Sequence, residues 1–254
     1  MVTKSNSFQN AIALTGIAAP DKAKAWRVDV DSSSPEFIEA VKAEIGQSYM
    51  PLTEFENLFK AGGMVPVYDE LRKSHFPLDE KTKKGNFGEI LAQLHAKHVL
   101  GFEIPVPKLR FRTSRERSQH GEDVVAFKFQ EGKPDILLLV EAKYRATQVP
   151  AGIVAAYDTI ERSVVNASQC YLLNFVLSIL EAQGDIVRYR RVRAMLNDYS
   201  GGKFVKLGCI FVVTGPKAWK DSAFKDNITS NRVDPLHCWA YLSKDPDAFL
   251  DACH

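Results

Sequence analysis

The segment from residue 120 to residue 145, HGEDVVAFKFQEGKPDILLLVEAKYR, constrains the fold of this chain most strongly. It holds two apolar runs separated by a Gly-Lys-Pro sequence, a pattern typical of two strands joined by a turn. In an extended strand residues i and i+2 lie on the same face, so Glu141 and Lys143 project together while Ala142 faces the other way. The segment therefore predicts a β-hairpin whose second strand ends in a carboxylate and an ammonium group on one face.

Two aspartates are candidates for a second carboxylate beside Glu141. Asp135 lies in the same strand, about 20 Å away along an extended chain, which is too far for two ligands of one ion. We therefore interpret Asp135 as a turn residue. Asp123 folds back opposite Glu141, but a two-residue turn would pair it with Ala142 on the wrong face. A three-residue loop or a bulge is needed to bring Asp123 to the correct face.

These residue types match the needs of phosphodiester hydrolysis. Asp123 and Glu141 supply hard oxygen ligands for Mg²⁺, for which Mn²⁺ can substitute, and such an ion activates water and neutralises phosphate charge. Lys143, a compact positive charge, can orient or help to deprotonate that water. The alternative is a Lys-Glu pair on an exposed strand face, worth under about 1 kcal/mol and without function.

A third carboxylate comes from an upstream helix. The segment Gly85 to Gly101 has apolar residues at close to helical spacing and a glycine at each end, which predicts a helix with Glu89 in its first turn. A helix that begins beside the hairpin would direct Glu89 towards the metal site. In the alternative interpretation, Glu89 only interacts favourably with the helix dipole.

Three motifs resemble the HamA family, the nuclease of the Hachiman bacterial anti-phage defence system, whose fold belongs to the PD-(D/E)xK superfamily. They are Gly88-Glu89 opening a helix, His120-Gly121-Glu122-Asp123 opening a strand, and Leu139-Val140-Glu141-Ala142-Lys143-Tyr144. The resemblance is clearest in the middle third. It implies that Asp123, Glu141 and Lys143 are the metal-binding and catalytic residues and that Glu89 is the helix acid. It also implies a DNA-degrading effector that acts with a superfamily 2 helicase, HamB, when phage infection is sensed.

Clusters of basic residues are candidates for DNA binding, because a net charge of +2 is too small to indicate it. The first cluster precedes the hairpin and consists of Lys108, Arg110, Arg112, Arg115 and Arg117. It would guide a DNA backbone towards the site, where His120 either contacts phosphate or tethers the strand; the alternative is a solvated connection. For the second cluster, Arg188, Arg190, Arg191 and Arg193, the solvated alternative is favoured.

Length and composition predict one compact globular unit, with 254 residues of which 45% are hydrophobic and 25% charged. We divide it into residues 1–84, a mixed segment packed on the core, and 85–254, the nuclease core. Residues 153–180 have a helical pattern, and residues 206–214 form an apolar run typical of a buried strand. Four dispersed cysteines and the absence of any long apolar run predict a cytoplasmic protein without membrane contact, and the resemblance implies that it is bacterial. The oligomeric state stays open.

The sequence thus predicts an α/β protein with a mixed sheet flanked by helices and a PD-(D/E)xK, restriction-endonuclease-like core. The predicted function is that of a Mg²⁺-dependent deoxyribonuclease. No phosphate-binding loop occurs in the sequence, so any ATP-driven step would belong to the helicase partner. The alternative function is a catalytically inactive subunit that binds DNA or the helicase.

Overall fold

The computed structural model describes residues 8–49, 76–111, 121–165 and 169–254 and, between them, positions 59, 61–64, 67 and 70. At the centre of these residues lies a six-stranded sheet with the order β1-β2-β6-β5-β4-β3. The strands are β1 (Ile12–Gly16), β2 (Ala23–Val30), β3 (Val124–Lys128), β4 (Ile136–Tyr144), β5 (Val205–Thr214) and β6 (Leu236–Ser243).

The sheet is parallel in its centre and antiparallel at both edges. Strands β2, β6, β5 and β4 run in one direction, and the edge strands β1 and β3 run opposite to their neighbours. Parallel strands are joined by crossovers that cover the faces of the sheet, so both faces are buried. Accordingly, residues 137–142 of β4 and 207–213 of β5 are buried without interruption. This explains why both strands read as continuous apolar runs in the sequence.

Helices cover both faces of the sheet. They are α1 (Pro35–Tyr49), α2 (Glu80–His98), α3 (Val149–Val165), α4 (Gln169–Ala182), α5 (Ile186–Asn197), α6 (Ala223–Asn227) and α7 (Pro246–Cys253). Alternating side chains of the strands give each face its own apolar core. Leu137 and Leu139 of β4 lie in the core that contains α3, whereas Leu138 and Val140 lie in the core that contains α1, α2 and α7. The α/β class with a mixed sheet between helices is therefore confirmed.

The predicted hairpin is confirmed, together with the register that the candidate site needs. Val124 pairs with Val140 and Lys128 with Ile136, so the connection spans residues 129–135 and brings Asp123 to the Glu141 end of β4. Because this connection has an odd number of residues, Asp123 and Glu141 lie on the same face of the hairpin. A three-residue loop or a bulge was expected to give the same alignment. Asp135 is a turn residue as predicted, because its carboxylate accepts a hydrogen bond from the Gln130 N–H at 2.8 Å.

The upstream helix begins earlier than predicted, which corrects the position of Glu89. Helix α2 starts at Glu80, after the N-cap Asp79, whose side chain accepts a hydrogen bond from the Thr82 N–H. Glu89 is therefore in the middle of the helix rather than in its first turn, and the helix dipole is not the reason for its position. The first turns carry charged residues in place of apolar ones, so the apolar pattern began too late to mark the true start.

The remaining elements agree with the main sequence patterns. The described residues of the 153–180 segment belong to α3 and α4, and the apolar run 206–214 lies in β5. Strands β1 and β2, from the N-terminal segment, belong to the same sheet as the hairpin, and the border drawn at residue 84 falls inside α2. Within the described residues, none of the helices has the length and apolarity needed to cross a bilayer.

Candidate functional site

The candidate site is a cleft at the end of β4, beside the N-terminal half of α2. The cleft has a volume of about 830 Å³. Its lining includes Glu89 from α2, Asp123 immediately before β3, and Ala142, Lys143 and Tyr144 from the end of β4. Residues distant in sequence thus meet at one place, because the hairpin returns the chain to the end of β4 and α2 crosses over it.

Asp123 is fixed against β4 through its side chain and its backbone. Its Oδ2 accepts a hydrogen bond from the Ala142 N–H at 2.8 Å, and its own N–H donates to the Val140 carbonyl at 3.0 Å. The carboxylate therefore continues the bonding to β4 beyond the first residue of β3. This arrangement holds the second carboxylate of the predicted site beside Glu141.

Glu141 and Lys143 project together, as the spacing along the strand predicts. The Lys143 ammonium group donates a hydrogen bond to Glu141 Oε1. The Glu141 side chain is 9% exposed and that of Lys143 is 20% exposed, so both groups are largely withdrawn from water. A solvated pair on an open strand face, the alternative weighed from the sequence, does not fit this burial.

The electrostatics of the site favour neutralisation of Glu141. Burial raises the pKa of Glu141 to about 7, and the charge of Asp123 acts in the same direction. Lys143 opposes the rise through its charge and its hydrogen bond, as does the charge of Lys108. At neutral pH this carboxyl group therefore exists in both protonation states, which is a perturbation typical of functional sites.

The donor set fits a hard divalent cation. Mg²⁺ in proteins is often bound by one or two carboxylates, with water and substrate oxygens as the other ligands. Asp123 and Glu141 provide two such carboxylates, and the repulsion between them is the kind that a cation relieves. However, no cluster of three His, Cys, Asp or Glu side chains suited to a metal ion exists among the described residues. The protein ligands of a cation here would be Asp123 and Glu141.

Glu89 lies on the wall of the cleft but stands apart from the Asp123–Glu141 pair. Helix α2 packs on the face of β4 that carries Ala142 and Tyr144, and a Cβ at Gly88 would lie 3.6 Å from the Tyr144 nitrogen. Glu141 and Lys143 alternate to the other face of the strand. Glu89 is buried and accepts a hydrogen bond from Gln93 at 3.4 Å. The prediction that Glu89 is a third ligand stays a prediction.

The predicted DNA-binding residues fall mostly outside the described part of the chain. This holds for Arg112, Arg115, Arg117 and His120. Arg110 is described, and its guanidinium group donates to the Gln47 carbonyl at 2.6 Å, which ties it to α1. The proposed contacts of these residues with DNA stay predictions.

In the second basic cluster, two arginines are engaged within the molecule. Arg188 forms ion pairs with Glu103 and Asp185, and Arg191 forms one with Asp135. These pairs fit the solvated alternative favoured from the sequence.

Sequence reasoning missed the role of Lys108, which it grouped with the arginines as a DNA contact. The residue is only 8% exposed, and its ammonium group donates to the carbonyls of Gly121 and Glu122. It is therefore part of the interior beside Asp123 rather than of a DNA-binding surface. Its position between the apolar residues Val106 and Leu109 was the available signal for burial.

A second missed group links the C-terminal helix to the cleft. The Tyr144 hydroxyl donates to Asp247 Oδ1 at 2.6 Å, and Lys84 lies 2.9 Å from the same oxygen. Burial and the hydrogen bond to Asp247 raise the pKa of Tyr144, so its hydroxyl stays protonated. The residue next to Lys143 is thereby anchored to both α7 and α2.

Comparison with known proteins identifies the family. A relative named Hachiman protein HamA, from Bacillus cereus, is 38% identical over 72 residues, which are 28% of this chain and 25% of the relative. The aligned part therefore spans a quarter of the relative's length. The HamA family model matches residues 8–234, which is most of the chain. This chain belongs to the HamA family.

Proposed function

We propose that the protein is a divalent-cation-dependent deoxyribonuclease that hydrolyses phosphodiester bonds in the Hachiman anti-phage defence system. The observation that carries the proposal is the group formed by the buried Glu141 and the partly exposed Asp123 and Lys143, of which the last two line the cleft. Membership of the HamA family supports the defence role, as does the name of the Bacillus cereus relative. The partner we propose is a HamB-like superfamily 2 helicase, and the substrate is DNA.

Each residue of the candidate site has a distinct role in this proposal. Bound Mg²⁺, or Mn²⁺ in its place, would lower the pKa of a water molecule and neutralise charge on the scissile phosphate. Asp123, held by the Ala142 N–H, and Glu141 would bind the cation. Lys143 would place its ammonium group where negative charge develops on the phosphate, and it can hydrogen-bond to the attacking water. Glu89 is proposed as an additional acid that acts from the cleft wall.

A plasmid cleavage assay tests the proposal. Supercoiled DNA is incubated with the purified protein and Mg²⁺, Mn²⁺ or EDTA, and again with the partner helicase and ATP. We expect cation-dependent cleavage that falls by about a hundredfold or more in Glu141→Gln and in Lys143→Met, because each removes a group acting on the reacting phosphate.

The chain offers a matched control for these two variants. Glu44 and Lys97 form an ion pair on α1 and α2 with side-chain exposures of 8% and 25%, close to those of Glu141 and Lys143. Glu44→Gln and Lys97→Met should therefore cost similar stability but leave cleavage unchanged. Equal cleavage by the parent and by Glu141→Gln would refute the nuclease assignment.

A non-catalytic subunit that binds DNA or the helicase is the second candidate. Two observations favour it: Lys143 is paired with Glu141, and the described residues contain no three-carboxylate metal cluster. This candidate predicts no cleavage in any sample, even with the helicase and ATP. It also predicts DNA retention that weakens when Arg112, Arg115 and Arg117 are replaced by glutamine.

A further inference from the structure

Lys108 is a buried lysine immediately beside the candidate site. It opens the short 3₁₀ helix Lys108–Phe111, and among the described residues it is the only lysine that is buried. Lysines are almost never fully buried unless their charge is paired, because an isolated ammonium group loses its hydration. The position of Lys108 therefore requires specific partners.

The partners of Lys108 are three consecutive residues that lead into β3. Its Nζ donates to the Gly121 carbonyl at 3.0 Å and to the Glu122 carbonyl at 2.6 Å, and it lies 3.8 Å from Asp123 Oδ1. Gly121 has a φ of 106°, a backbone conformation that residues other than glycine rarely adopt. The Lys108 ammonium group thus binds the backbone directly before Asp123, where Gly121 has an uncommon conformation.

We propose that Lys108 is a positioning residue, whose buried ammonium group fixes the 121–123 backbone and so sets the Asp123 carboxylate against β4. Asp123 makes one side-chain hydrogen bond in this arrangement, from the Ala142 N–H. An ammonium group has three donors that diverge from one atom, and here it faces two carbonyls and one carboxylate. A planar guanidinium fork does not match that arrangement. The importance of Lys108 for catalysis rests on the proposed function, whereas its positioning role does not.

Amide hydrogen exchange tests the positioning role without cation or DNA. In Lys108→Met, which has similar length but no donor, the Gly121 and Glu122 carbonyls lose their partner and Asp123 loses its fixed position. We expect the ratio of the Ala142 to the Leu138 exchange rate to rise on the order of tenfold. Leu138, in the middle of β4, corrects for any general loss of stability, which would accelerate both amides.

Lys128→Met is the matched control, because Lys128 also donates to a backbone carbonyl, that of Leu100 at 3.2 Å, from the other end of β3. It should leave the exchange ratio unchanged. If Lys108→Met does not fold, Lys108→Gln, which retains a shorter donor, should give a smaller rise in the ratio. A ratio equal to that of the parent in the folded variant overturns the inference.

Plasmid cleavage by the same variants separates this inference from the proposed function. Where the parent cleaves, Lys108→Met should lose activity in parallel with the rise in the exchange ratio, and Lys128→Met should not. Full cleavage activity in a variant with the raised ratio contradicts a catalytic need for this positioning. Where the parent does not cleave, the proposed function fails and the exchange ratio alone still decides whether Lys108 positions Asp123.

Discussion

At the scale of single residues, burial shifts the pKa values of Glu141 and His95 in opposite directions. Burial and the neighbouring Asp123 raise the pKa of Glu141 to about 7, which favours its neutral form. Burial lowers the pKa of His95 to about 3, with the charge of His237 acting in the same direction, which also favours the neutral form. Because one group is an acid and the other a base, their effects on stability have opposite pH dependence.

The stability contributed by Glu141 should decrease as pH rises in the absence of divalent cations. Its pKa is above the ordinary value of 4.5, so this contribution is complete below pH 4.5 and is lost as pH rises through about 7. Relative to Glu141→Gln, the parent should lose about 3 kcal/mol between these limits. Urea unfolding in EDTA at several pH values measures this difference. Parallel stability curves for the two proteins would contradict the prediction.

His95 should limit stability in acid. Its Nδ1 is 2.6 Å from the Tyr241 hydroxyl, and its ring lies 4.1 Å from that of Trp239, centroid to centroid. The folded state keeps the ring neutral, so the stability it contributes is complete above pH 6.5 and falls by about 1.4 kcal/mol per unit below it. His95→Gln, which cannot titrate, should lose less stability than the parent between pH 6.5 and 4. A constant difference between the two over this range in urea unfolding would rule the explanation out.

At the scale of the elements, the central strands β4 and β5 were better predicted from the sequence than the start of helix α2. The run LLLV in β4 and the run IFVV in β5 are apolar on both faces. Turn residues mark one end of each strand, Gly132-Lys133-Pro134 before β4 and Gly215-Pro216 after β5. Helix α2 begins with Glu80-Lys81-Thr82-Lys83-Lys84, which carries no apolar repeat because these residues lie at the surface or in the cleft. Its start depends on the Asp79 cap, a signal that only becomes clear once the helix is known.

Gly208 in β5 is packed closely by the side chains of Val233 and of Ile160 from α3. A Cβ at this position would lie 2.5 Å from Val233 Cγ1 and 2.7 Å from Ile160 Cγ2, closer than real contacts allow. We expect Gly208→Ala to reduce the free energy of unfolding by about 1–3 kcal/mol through overpacking. Thermal or urea unfolding measures the loss.

Gly16 supplies the control for this substitution. It lies in the edge strand β1, and a Cβ there would meet no atom within 4 Å. Alanine is favoured over glycine in a strand by conformational entropy, so Gly16→Ala should be neutral or slightly stabilising. Equal losses in both variants would show that crowding by Val233 and Ile160 is not the cause.

At the scale of the whole molecule, the order of the strands could not be derived from the sequence. Strand β2 pairs with β6 from the far end of the chain, and Trp26 stacks on Trp239 with ring centroids 4.2 Å apart. Neither strand carries a local signal for its partner, because the pairing is set by the packing of helices on both faces. The hairpin of the candidate site was predictable since it joins neighbours in sequence. Lys108 and Asp123 meet through the fold of a longer segment, which no periodic pattern encodes.

The topology predicts an order of stability across the sheet. Strands β5 and β6 have a paired strand on each side and helices on both faces, whereas most of β1 is exposed and pairs only with β2. Opening β1 breaks one ladder and exposes little apolar surface, whereas opening β5 exposes both cores and requires global unfolding. Amides of residues 209–213 should therefore exchange at least about a hundredfold more slowly than those of residues 13–15, measured by native-state hydrogen exchange. Comparable protection of β1 and β5 would contradict this order of stability.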